Sequence, residues 1–391
     1  MIKRVILFVM DSVGIGALPD SEQFGDIGVN TLGHIWEANG GIHIPNLIQL
    51  GIGNIEGLPM LSKTTNPTGA YGRSMEFSNG KDTTTGHWEM AGLHLPDPFN
   101  TFPEGFPPHI IEAFEAQTGR KALFNKPASG TAIIEEYGVE HMETGNPIIY
   151  TSADSVFQIA AHEDIIPIPE LYRMCEIARK ILMGKDAVAR VIARPFVGKP
   201  GSFERTSNRR DFSLSPEAPT LLDILKESGY EVRSVGKIFD IFNGQGITHE
   251  VHTHDNMDGV DKTLEYMADD FNGLLFVNLV DFDSKFGHRR DAVGYGKALE
   301  ELDARLPELF SAMRSDDLLL LTADHGNDPT YKGTDHTREY IPILAYGATV
   351  QPGVQIGTCS SFADLAATAA DLLGAPAPAY GNSFRKIIIK E

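Results

Sequence analysis

The chain has 391 residues, of which 42% are hydrophobic, and its formal net charge at pH 7 is −20. That hydrophobic content supports sizeable cores and excludes a disordered chain, and at roughly 150 residues per domain the length predicts two or three domains. The negative charge argues against a nucleic-acid or anionic-membrane partner, because long-range repulsion would oppose the encounter.

The N-terminal segment combines a basic start with an apolar run, Val5–Met10, that ends at Asp11. It resembles a signal peptide only superficially, because the run is short and Asp11 stands where a cleavage motif should begin. No apolar stretch reaches the ~20 residues needed to span a bilayer. The two cysteines, Cys175 and Cys359, are too few for a disulfide framework and fit a reducing compartment. We therefore expect a cytoplasmic protein in which Val5–Met10 is a buried strand.

The stretch from residue 100 to residue 216 differs in composition from the rest, since Pro- and Gly-rich segments open and close it. Its apolar pattern predicts a strand over Pro147–Thr151, a helix carrying Leu171, Cys175, Ala178 and Leu182, and a strand over Ala187–Ala193. We interpret residues 100–216 as a smaller α/β cap domain that covers the substrate. It would be inserted into a discontinuous core domain formed by residues 1–99 and 217–391.

The elements after the insert alternate between helices and strands. They are a helix from about Pro219 to Glu227, a strand over Glu231–Val235, a strand over Leu274–Val280, a helix carrying Tyr295, Leu299, Leu302, Leu306, Leu309 and Met313, a strand over Leu318–Thr322, and a helix capped by Ser361 that stops at Gly374. This alternation predicts an α/β fold with a mostly parallel sheet between helices. Three of the predicted strands end in aspartates, and ligands of such sheets gather at the carboxyl ends of strands.

Aspartate and histidine recur together in the last third of the chain. The pairs are Asp283 with His288, Asp324 with His325, and Asp335 with His336. Mixed carboxylate and imidazole ligands suit Mn²⁺, Zn²⁺ or Fe²⁺ better than Ca²⁺. A single pair is also typical of a surface turn, but two of these pairs follow strands that we expect to be neighbours. Asp11 adds a carboxylate from a third strand unless it caps a helix, and the pattern leaves open whether Asp281 or Asp283 is a ligand.

A run of hydroxyl side chains, Thr83-Thr84-Thr85, precedes Gly86 and His87. Such a run is typical of a helix cap, because the hydroxyl oxygens can accept from free backbone amides. The alternative is that one threonine is a nucleophile, since a bound metal ion would lower the pKa of its hydroxyl. The helix N-terminus would then stabilise a phosphothreonine.

Basic side chains form a third candidate set. They are Arg194, Arg205, Arg209, Arg210 and Lys237. Solvated surface positions are the usual explanation for Arg209 and Arg210. Arg194 and Lys237 are better candidates for phosphate contacts, because each is expected just after a strand in an otherwise acidic chain.

Several motifs together resemble those of the bacterial phosphopentomutases, a family of the alkaline phosphatase superfamily. They are residues 9–16 (VMDSVGIG), 81–89 (KDTTTGHWE), 192–198 (IARPFVG), 278–283 (NLVDFD), 287–291 (GHRRD) and 322–328 (TADHGND). The motifs run from the first predicted strand to the last, so the resemblance covers the whole chain. It implies an alkaline-phosphatase-like core with an inserted cap.

The resemblance also implies functional residues. The nucleophile would be Thr83, three residues before the Gly-His pair. One metal ion would be held by Asp283, His288 and His336, and the other by Asp11, Asp324 and His325; both would be Mn²⁺. Ser152, Asp154, Arg194, Arg205 and Lys237 would contact the ribose and phosphate groups. The resemblance thus selects Asp283 over Asp281.

The reaction implied by the resemblance interconverts ribose 1-phosphate and ribose 5-phosphate, and the 2-deoxy sugars, through a phosphothreonine enzyme and a pentose 1,5-bisphosphate. Glucose 1,6-bisphosphate or a similar sugar bisphosphate would be the activator. The partners would be small pentose phosphates, and the oligomeric state is left open. The alternatives are a two-metal phosphatase, a cofactor-independent phosphoglycerate mutase, or a non-catalytic phosphosugar sensor.

Overall fold

The computed structural model describes residues 2–152 and 155–390 of the chain. The chain divides into two compact units, Met1–Pro98 with Pro216–Glu391, and Phe99–Ser215. The boundaries expected from the sequence, at residues 99/100 and 216/217, lie one residue further along the chain. Within the described residues, every helix is too short or too polar to cross a membrane.

Strands and helices alternate through most of the chain. The strands are β1 (Arg4–Met10), β2 (Ala70–Ser74), β3 (Leu123–Pro127), β4 (Ile148–Thr151), β5 (Val156–His162), β6 (Arg190–Lys199), β7 (Ser202–Arg205), β8 (Arg210–Ser213), β9 (Glu231–Val235), β10 (His249–Val251), β11 (Gly273–Leu279), β12 (Asp317–Thr322), β13 (Ile341–Tyr346) and β14 (Gln355–Cys359). The helices are α1 (Thr31–Ala38), α2 (Pro45–Leu50), α3 (Thr83–Met90), α4 (Pro108–Thr118), α5 (Gly130–Thr144), α6 (Ile168–Ile181), α7 (Leu221–Glu227), α8 (Ile238–Ile241), α9 (Asn256–Ala268), α10 (Ala292–Ala312), α11 (Ala363–Leu373) and α12 (Arg385–Ile388).

The strands of the first unit form one sheet in the order β10-β9-β11-β1-β12-β13-β2-β14. Neighbouring strands are parallel from β10 to β12, whereas β13 runs antiparallel to both β12 and β2. Every residue of β1, β11 and β12 is buried, as expected where helices cover both faces of a parallel sheet. The predicted α/β fold with a mostly parallel sheet is therefore confirmed.

The order of the central strands differs from the expectation in one respect. We expected β11 and β12 to be neighbours, but β1 lies between them and pairs with both. The long helix α10 connects β11 to β12, and a crossover of this length can pass over an intervening strand. As a result, the segments that follow all three strands meet at one edge of the sheet.

Two local predictions are wrong in detail. Arg194 was expected after a strand, but it lies within β6, which continues to Lys199 because it pairs with β5, β7 and β8. Ser361 was expected to be the N-cap of α11, but Phe362 occupies that position. The Ser361 hydroxyl instead accepts from the Ala363 amide at 3.1 Å.

The second unit has its own sheet, in the order β3-β4-β5-β6-β7, with β8 paired to β6. Side chains of β5 alternate between two apolar clusters, as the period of a strand requires. Phe157 and Ile159 pack in the cluster that includes residues of α4 and α6, whereas Ala160 belongs to the cluster that includes residues of α5. Helices thus cover both faces of this smaller sheet.

Helix α3 approaches the segment after β12 very closely at Gly86. A Cβ atom at this position would lie 2.1 Å from the carbonyl oxygen of Asp324, which is far inside van der Waals contact. A side chain as small as a methyl group would therefore push α3 and this segment apart.

We expect Gly86→Ala to lower the free energy of unfolding by about 1–3 kcal/mol, as overpacking does. Helix propensity alone predicts the opposite sign, because alanine stabilises a helix interior relative to glycine by roughly 0.5–1 kcal/mol. Urea denaturation measures the difference, with Thr84→Ala in the same helix as the control. A stabilised Gly86→Ala protein would contradict the close approach.

Candidate metal centre and nucleophile

Asp11 follows β1 directly and is fully buried. The chain turns sharply here, since Ser12 has a φ of +67°, and its amide donates to Asp324 Oδ1 at 2.9 Å. The Ser12 hydroxyl also lies 2.8 Å from the Tyr295 hydroxyl on α10. In the described residues no helix begins at this turn, so the alternative that Asp11 caps a helix is wrong.

Asp324 and His325 lie just past the end of β12, and both are buried. The turn places them side by side, with Asp324 Oδ2 3.2 Å from His325 Nε2. Asp11 Oδ1 lies 3.5 Å from the same nitrogen. His325 Nδ1 donates to the Gly326 carbonyl at 3.0 Å, which leaves Nε2 as the ligand atom. The ligand atoms of Asp11, Asp324 and His325 all lie within 4.8 Å of one another.

A second group of ligand atoms surrounds Asp283. Its members Asp283, His325 and His336 also lie within 4.8 Å of one another, and Asp283 Oδ1 is 3.3 Å from His336 Nε2. His288 Nε2 approaches the other carboxylate oxygen of Asp283 at 3.2 Å. His325 thus belongs to both groups and connects them.

A short π-helix, Phe282–Gly287, explains the spacing of Asp283 and His288. The His288 amide donates to the Asp283 carbonyl at 2.9 Å, so residues five apart fall on one face, and π-turns are frequent at functional sites. Asp281 has different partners, since it pairs with Lys285 at 2.9 Å and accepts from the Asn256 amide at 3.1 Å. It lies outside both groups of ligand atoms.

Thr83 is the first residue of α3, and its side chain is largely buried. The cap of this helix is Asp82, whose carboxylate accepts from the amides of Thr84 and Thr85 at 3.0 and 3.1 Å. Capping by the threonine hydroxyls, the alternative suggested by the sequence, is therefore wrong. The Thr83 hydroxyl instead lies 3.1 Å from His325 Nε2, at the edge of the first ligand group.

Three polar atoms of this cluster are buried and lie 3.1–3.5 Å from charged groups, but none of them has a partner in hydrogen-bonding geometry among the described residues. They are Asp11 Oδ1, Asp324 Oδ2 and His336 Nε2. A buried polar atom left unpaired costs about 1–3 kcal/mol. Because these atoms are also the ones that converge, a cation fits the cluster better than any internal hydrogen bond, and carboxylate with imidazole suits a divalent metal ion.

The protonation states in the cluster are strongly shifted. Burial raises the pKa of Asp11 well above its usual range, and the carboxylates of Asp324 and Asp283 raise it further. Burial also opposes the charged form of Asp283, but His336 and His288 outweigh it and hold the pKa of Asp283 well below its usual range. Likewise, Asp324 outweighs burial and raises the pKa of His325. Metal ions bind the deprotonated forms, so binding of a divalent ion would act against the raised pKa values of Asp11 and His325.

The predicted substrate contacts fall in both units. In the second unit, Arg194 Nε donates to Gln158 Oε1 at 3.0 Å, and burial, with Arg209 nearby, lowers the pKa of Arg194. Arg205 ends β7, and Ser152 follows β4. Asp154 lies outside the described residues. Lys237 belongs to the first unit, where it follows β9 and lowers the pKa of Asp11 against the larger effect of burial.

Arg209 and Arg210, for which a surface position was the usual explanation, lie near β8. Arg209 pairs with Asp211 at 2.8 Å, and the Arg210 guanidinium lies over the rings of Tyr172 and Phe212. Both residues are exposed, as that explanation expects.

Asn278 and Asn327, which the sequence analysis did not single out, orient the candidate ligands. Asn278 Nδ2 donates to Asp11 Oδ2 at 2.8 Å, and Asn327 Nδ2 donates to Asp283 Oδ1 at 2.7 Å. His87 is fully buried, with Nδ1 2.9 Å from the Thr83 carbonyl and 3.1 Å from Asp324 Oδ2. A signal existed for Asn278, because an amide inside an otherwise apolar strand needs a specific partner.

Comparisons with known proteins identify the family of this chain. The family model of the Metalloenzyme superfamily matches residues 3–377. The phosphopentomutase of Alkaliphilus metalliredigens is 62% identical over 390 residues, covering 100% of both chains. The phosphopentomutase of Clostridioides difficile is 61% identical over 384 residues, covering 98% of each.

One solved structure with a similar fold is a phosphoglycerate mutase of Leishmania mexicana, studied at low cobalt concentration. It has a TM-score of 0.51 and 12% sequence identity, covering 100% of this chain and 98% of that one. At this identity the likeness concerns the fold alone, and it agrees with the alkaline-phosphatase-like core. The chain therefore belongs to the phosphopentomutases, phosphotransferring isomerases of the metalloenzyme superfamily.

Proposed function

We propose that this enzyme interconverts ribose 1-phosphate and ribose 5-phosphate, and the corresponding 2-deoxyribose phosphates, by phosphoryl transfer through Thr83. The observation that carries the proposal is the position of the Thr83 hydroxyl, 3.1 Å from His325 Nε2 and beside the converging ligand atoms. Relatives named phosphopentomutase at 61–62% identity support the choice of substrate.

Two Mn²⁺ ions are proposed to occupy the cluster. Asp11, Asp324 and His325 would hold one ion, and Asp283, His288 and His336 would hold the other. Bound there, divalent ions supply positive charge to phosphoryl oxygens and lower the pKa of a neighbouring hydroxyl. Asp11 and Asp324 support this assignment, because each has a buried oxygen without a hydrogen bond and their ligand atoms lie within 4.8 Å of each other and of the His325 ligand atom.

The reaction uses Thr83 as the temporary carrier of the phosphoryl group. In the first transfer, the O1–P bond forms on ribose 5-phosphate, the Thr83 Oγ1–P bond breaks, and the proton of the C1 hydroxyl passes to Thr83 Oγ1, which gives ribose 1,5-bisphosphate. After the sugar reorients, Thr83 Oγ1 takes the 5-phosphoryl group, its proton passes to the C5 oxygen, and ribose 1-phosphate is released. Glucose 1,6-bisphosphate or a similar sugar bisphosphate would supply the first phosphoryl group.

The N-terminus of α3 contributes to this transfer mainly through its dipole. The amides of Thr84 and Thr85 already donate to Asp82, so they are not available to a phosphoryl group on Thr83. The dipole still favours negative charge at this end of the helix, by about 0.3–1 kcal/mol when exposed and more when buried.

The substrate contacts are proposed to be Ser152, Asp154, Arg194 and Arg205 of the second unit and Lys237 of the first. Arginine matches phosphate oxygens with two parallel hydrogen bonds, whereas lysine supplies a point charge. The second unit would act as a cap that excludes water, because water with access to phosphothreonine would turn the mutase into a phosphatase.

We expect Arg194→Ala to raise the KM for pentose phosphate by roughly tenfold or more, as loss of a charged hydrogen bond worth about 1.5–3 kcal/mol implies. Metal content should not change. Steady-state kinetics measure the effect, with Arg190→Ala at the start of the same strand as the control. An unchanged KM would remove Arg194 from the site.

The test of the proposed function is a coupled assay that follows ribose 5-phosphate formation from ribose 1-phosphate. The purified protein is assayed with Mn²⁺, with and without glucose 1,6-bisphosphate, while inorganic phosphate is monitored in parallel. Isomerisation without phosphate release is expected. Phosphate release without isomerisation would make the protein a phosphatase, and conversion of phosphoglycerate alone would favour the phosphoglycerate mutase alternative.

A further inference from the structure

The side chain of Arg290 donates hydrogen bonds to the segments that carry or adjoin three candidate metal ligands. Its backbone is left-handed, with a φ of +58°, a conformation that costs a non-glycine residue about 1 kcal/mol or more and persists only where other contacts fix it. Its guanidinium donates to five oxygens. They are Gly333 O at 2.5 Å, Asp328 O at 2.8 Å, Asn327 Oδ1 at 2.9 Å, Gly287 O at 3.4 Å and Asp335 O at 3.5 Å.

Four of these acceptors lie on one irregular segment, residues 327–335, that leads directly to His336. The segment has neither helix nor strand of its own. A backbone bridge joins Gly326 and Thr337 on either side of it, since their amides donate to each other's carbonyl oxygens at 3.0 and 2.7 Å. His336 therefore lies between Thr337, which this bridge fixes, and the Asp335 carbonyl, which accepts from Arg290 at 3.5 Å.

The same segment orients His288. His288 Nδ1 donates to the Thr334 carbonyl at 2.8 Å, which leaves Nε2 directed at Asp283. The carbonyls on either side of Thr334, those of Gly333 and Asp335, both accept from Arg290. Arg290 therefore holds the backbone around the Thr334 carbonyl, and this carbonyl in turn orients the His288 ring.

Arg290 is connected to Asp283 through the side-chain amide of Asn327. The amide Oδ1 of Asn327 accepts from Arg290 at 2.9 Å, and its Nδ2 donates to Asp283 Oδ1 at 2.7 Å. This pair of contacts also settles which way the amide points. Arg290 is thus connected through its hydrogen-bond acceptors to Asp283, His288 and His336. Its hydrogen bonds within the described residues do not reach Asp11 or Asp324.

We propose that Arg290 is a positioning residue for one of the two metal sites, that of Asp283, His288 and His336. The inference rests on the proposed two-ion site and goes beyond it, because it assigns a residue to only one of the ions. Lysine could not replace Arg290, since a single ammonium cannot span acceptors that require the five donors of a planar guanidinium.

The test is a Mn²⁺ titration of the purified full chain, followed by the electron paramagnetic resonance signal of free Mn²⁺. Arg290→Gln and Arg290→Lys are compared with Arg289→Gln, which removes the same charge from the neighbouring, exposed arginine. Wild type and Arg289→Gln are expected to bind two ions. Both Arg290 variants should keep one ion at unchanged affinity and bind the other 10–100-fold more weakly, the usual effect of losing a residue that orients metal ligands.

A second comparison identifies the affected site. In an Asp283→Asn background, Arg290→Gln should leave the affinity of the remaining ion unchanged, because both substitutions act on the same site. Two unchanged affinities in the Arg290 variants would overturn the inference, and so would equal weakening of both ions. Fewer than two ions in wild type would overturn the two-ion site itself, and that result appears before any variant is compared. Arg290→Lys, which keeps the charge, decides the matter if Arg290→Gln does not fold.

Discussion

Thr83→Ala is expected to reduce mutase turnover by roughly 10⁴-fold or more, which is the scale of loss when an enzyme's nucleophile is removed. The substitution deletes the only hydroxyl that the described structure places against His325, at 3.1 Å. Capping of α3 by Asp82 does not involve the Thr83 side chain, so the fold and the metal ligands should persist. Turnover in the coupled assay and two bound ions by elemental analysis are the two readouts.

The control for Thr83→Ala is Thr84→Ala, one residue further along α3. Thr84 uses its amide, not its hydroxyl, to contact Asp82, and its substitution should change turnover by less than about threefold. Labelled glucose 1,6-bisphosphate adds a direct readout, because wild type and Thr84→Ala should retain label on the protein and Thr83→Ala should not. Appreciable mutase activity in Thr83→Ala would overturn the assignment of the nucleophile.

Asp283→Asn is expected to remove one of the two bound ions and to lower turnover by about 10³-fold. A metal ion contributes several kcal/mol of charge stabilisation to the transition state, and each 1.36 kcal/mol is a factor of ten in rate. Asparagine keeps an oxygen that can accept from Asn327 Nδ2, as Asp283 Oδ1 does at 2.7 Å. The loss of the ion and of turnover would therefore result from the missing negative charge and not from a local change in structure. Metal analysis and the coupled assay measure both effects.

Asp281→Asn is a matched control for Asp283→Asn, since it makes the same change two residues away. Asp281 pairs with Lys285 and accepts from the Asn256 amide, and an asparagine oxygen can still accept the latter bond. Both ions should stay bound, and turnover should change by less than about threefold. If Asp281→Asn lost the ion and Asp283→Asn kept it, the ligand set would be wrong.

Local sequence patterns determined much of the fold. The apolar runs of β1, β11 and β12 and the 3.6-residue period of α10 identify those elements wherever they lie in the molecule, because burial on both faces of a sheet selects such runs. Because the apolar runs mark where these strands end, the sequence also predicted that aspartates follow the strand ends. Weaker patterns were missed: β5 (Val156–His162) and β13 (Ile341–Tyr346) are fully or largely buried strands that we did not predict.

The motifs at residues 81–89, 278–283 and 322–328 also led to the family from the sequence alone, and relatives at 61–62% identity bear this out. The residues themselves left Asp281 and Asp283 undecided, and the resemblance selected Asp283. In the structure, Asp283 joins a group of ligand atoms and Asp281 does not. Their roles in binding metal remain predictions.

Tertiary structure decided what local patterns cannot contain. Periodicity does not predict that β1 lies between β11 and β12, because strand order depends on how far each crossover connection carries the chain across the sheet. It does not predict a π-turn after β11, which brings Asp283 and His288 to one face. Nor does it connect Arg290 to a segment almost forty residues later, as the 2.9 Å contact with Asn327 shows. Such contacts depend on which distant segments the packed sheet brings together, whereas the sequence by itself specifies only the elements that pack.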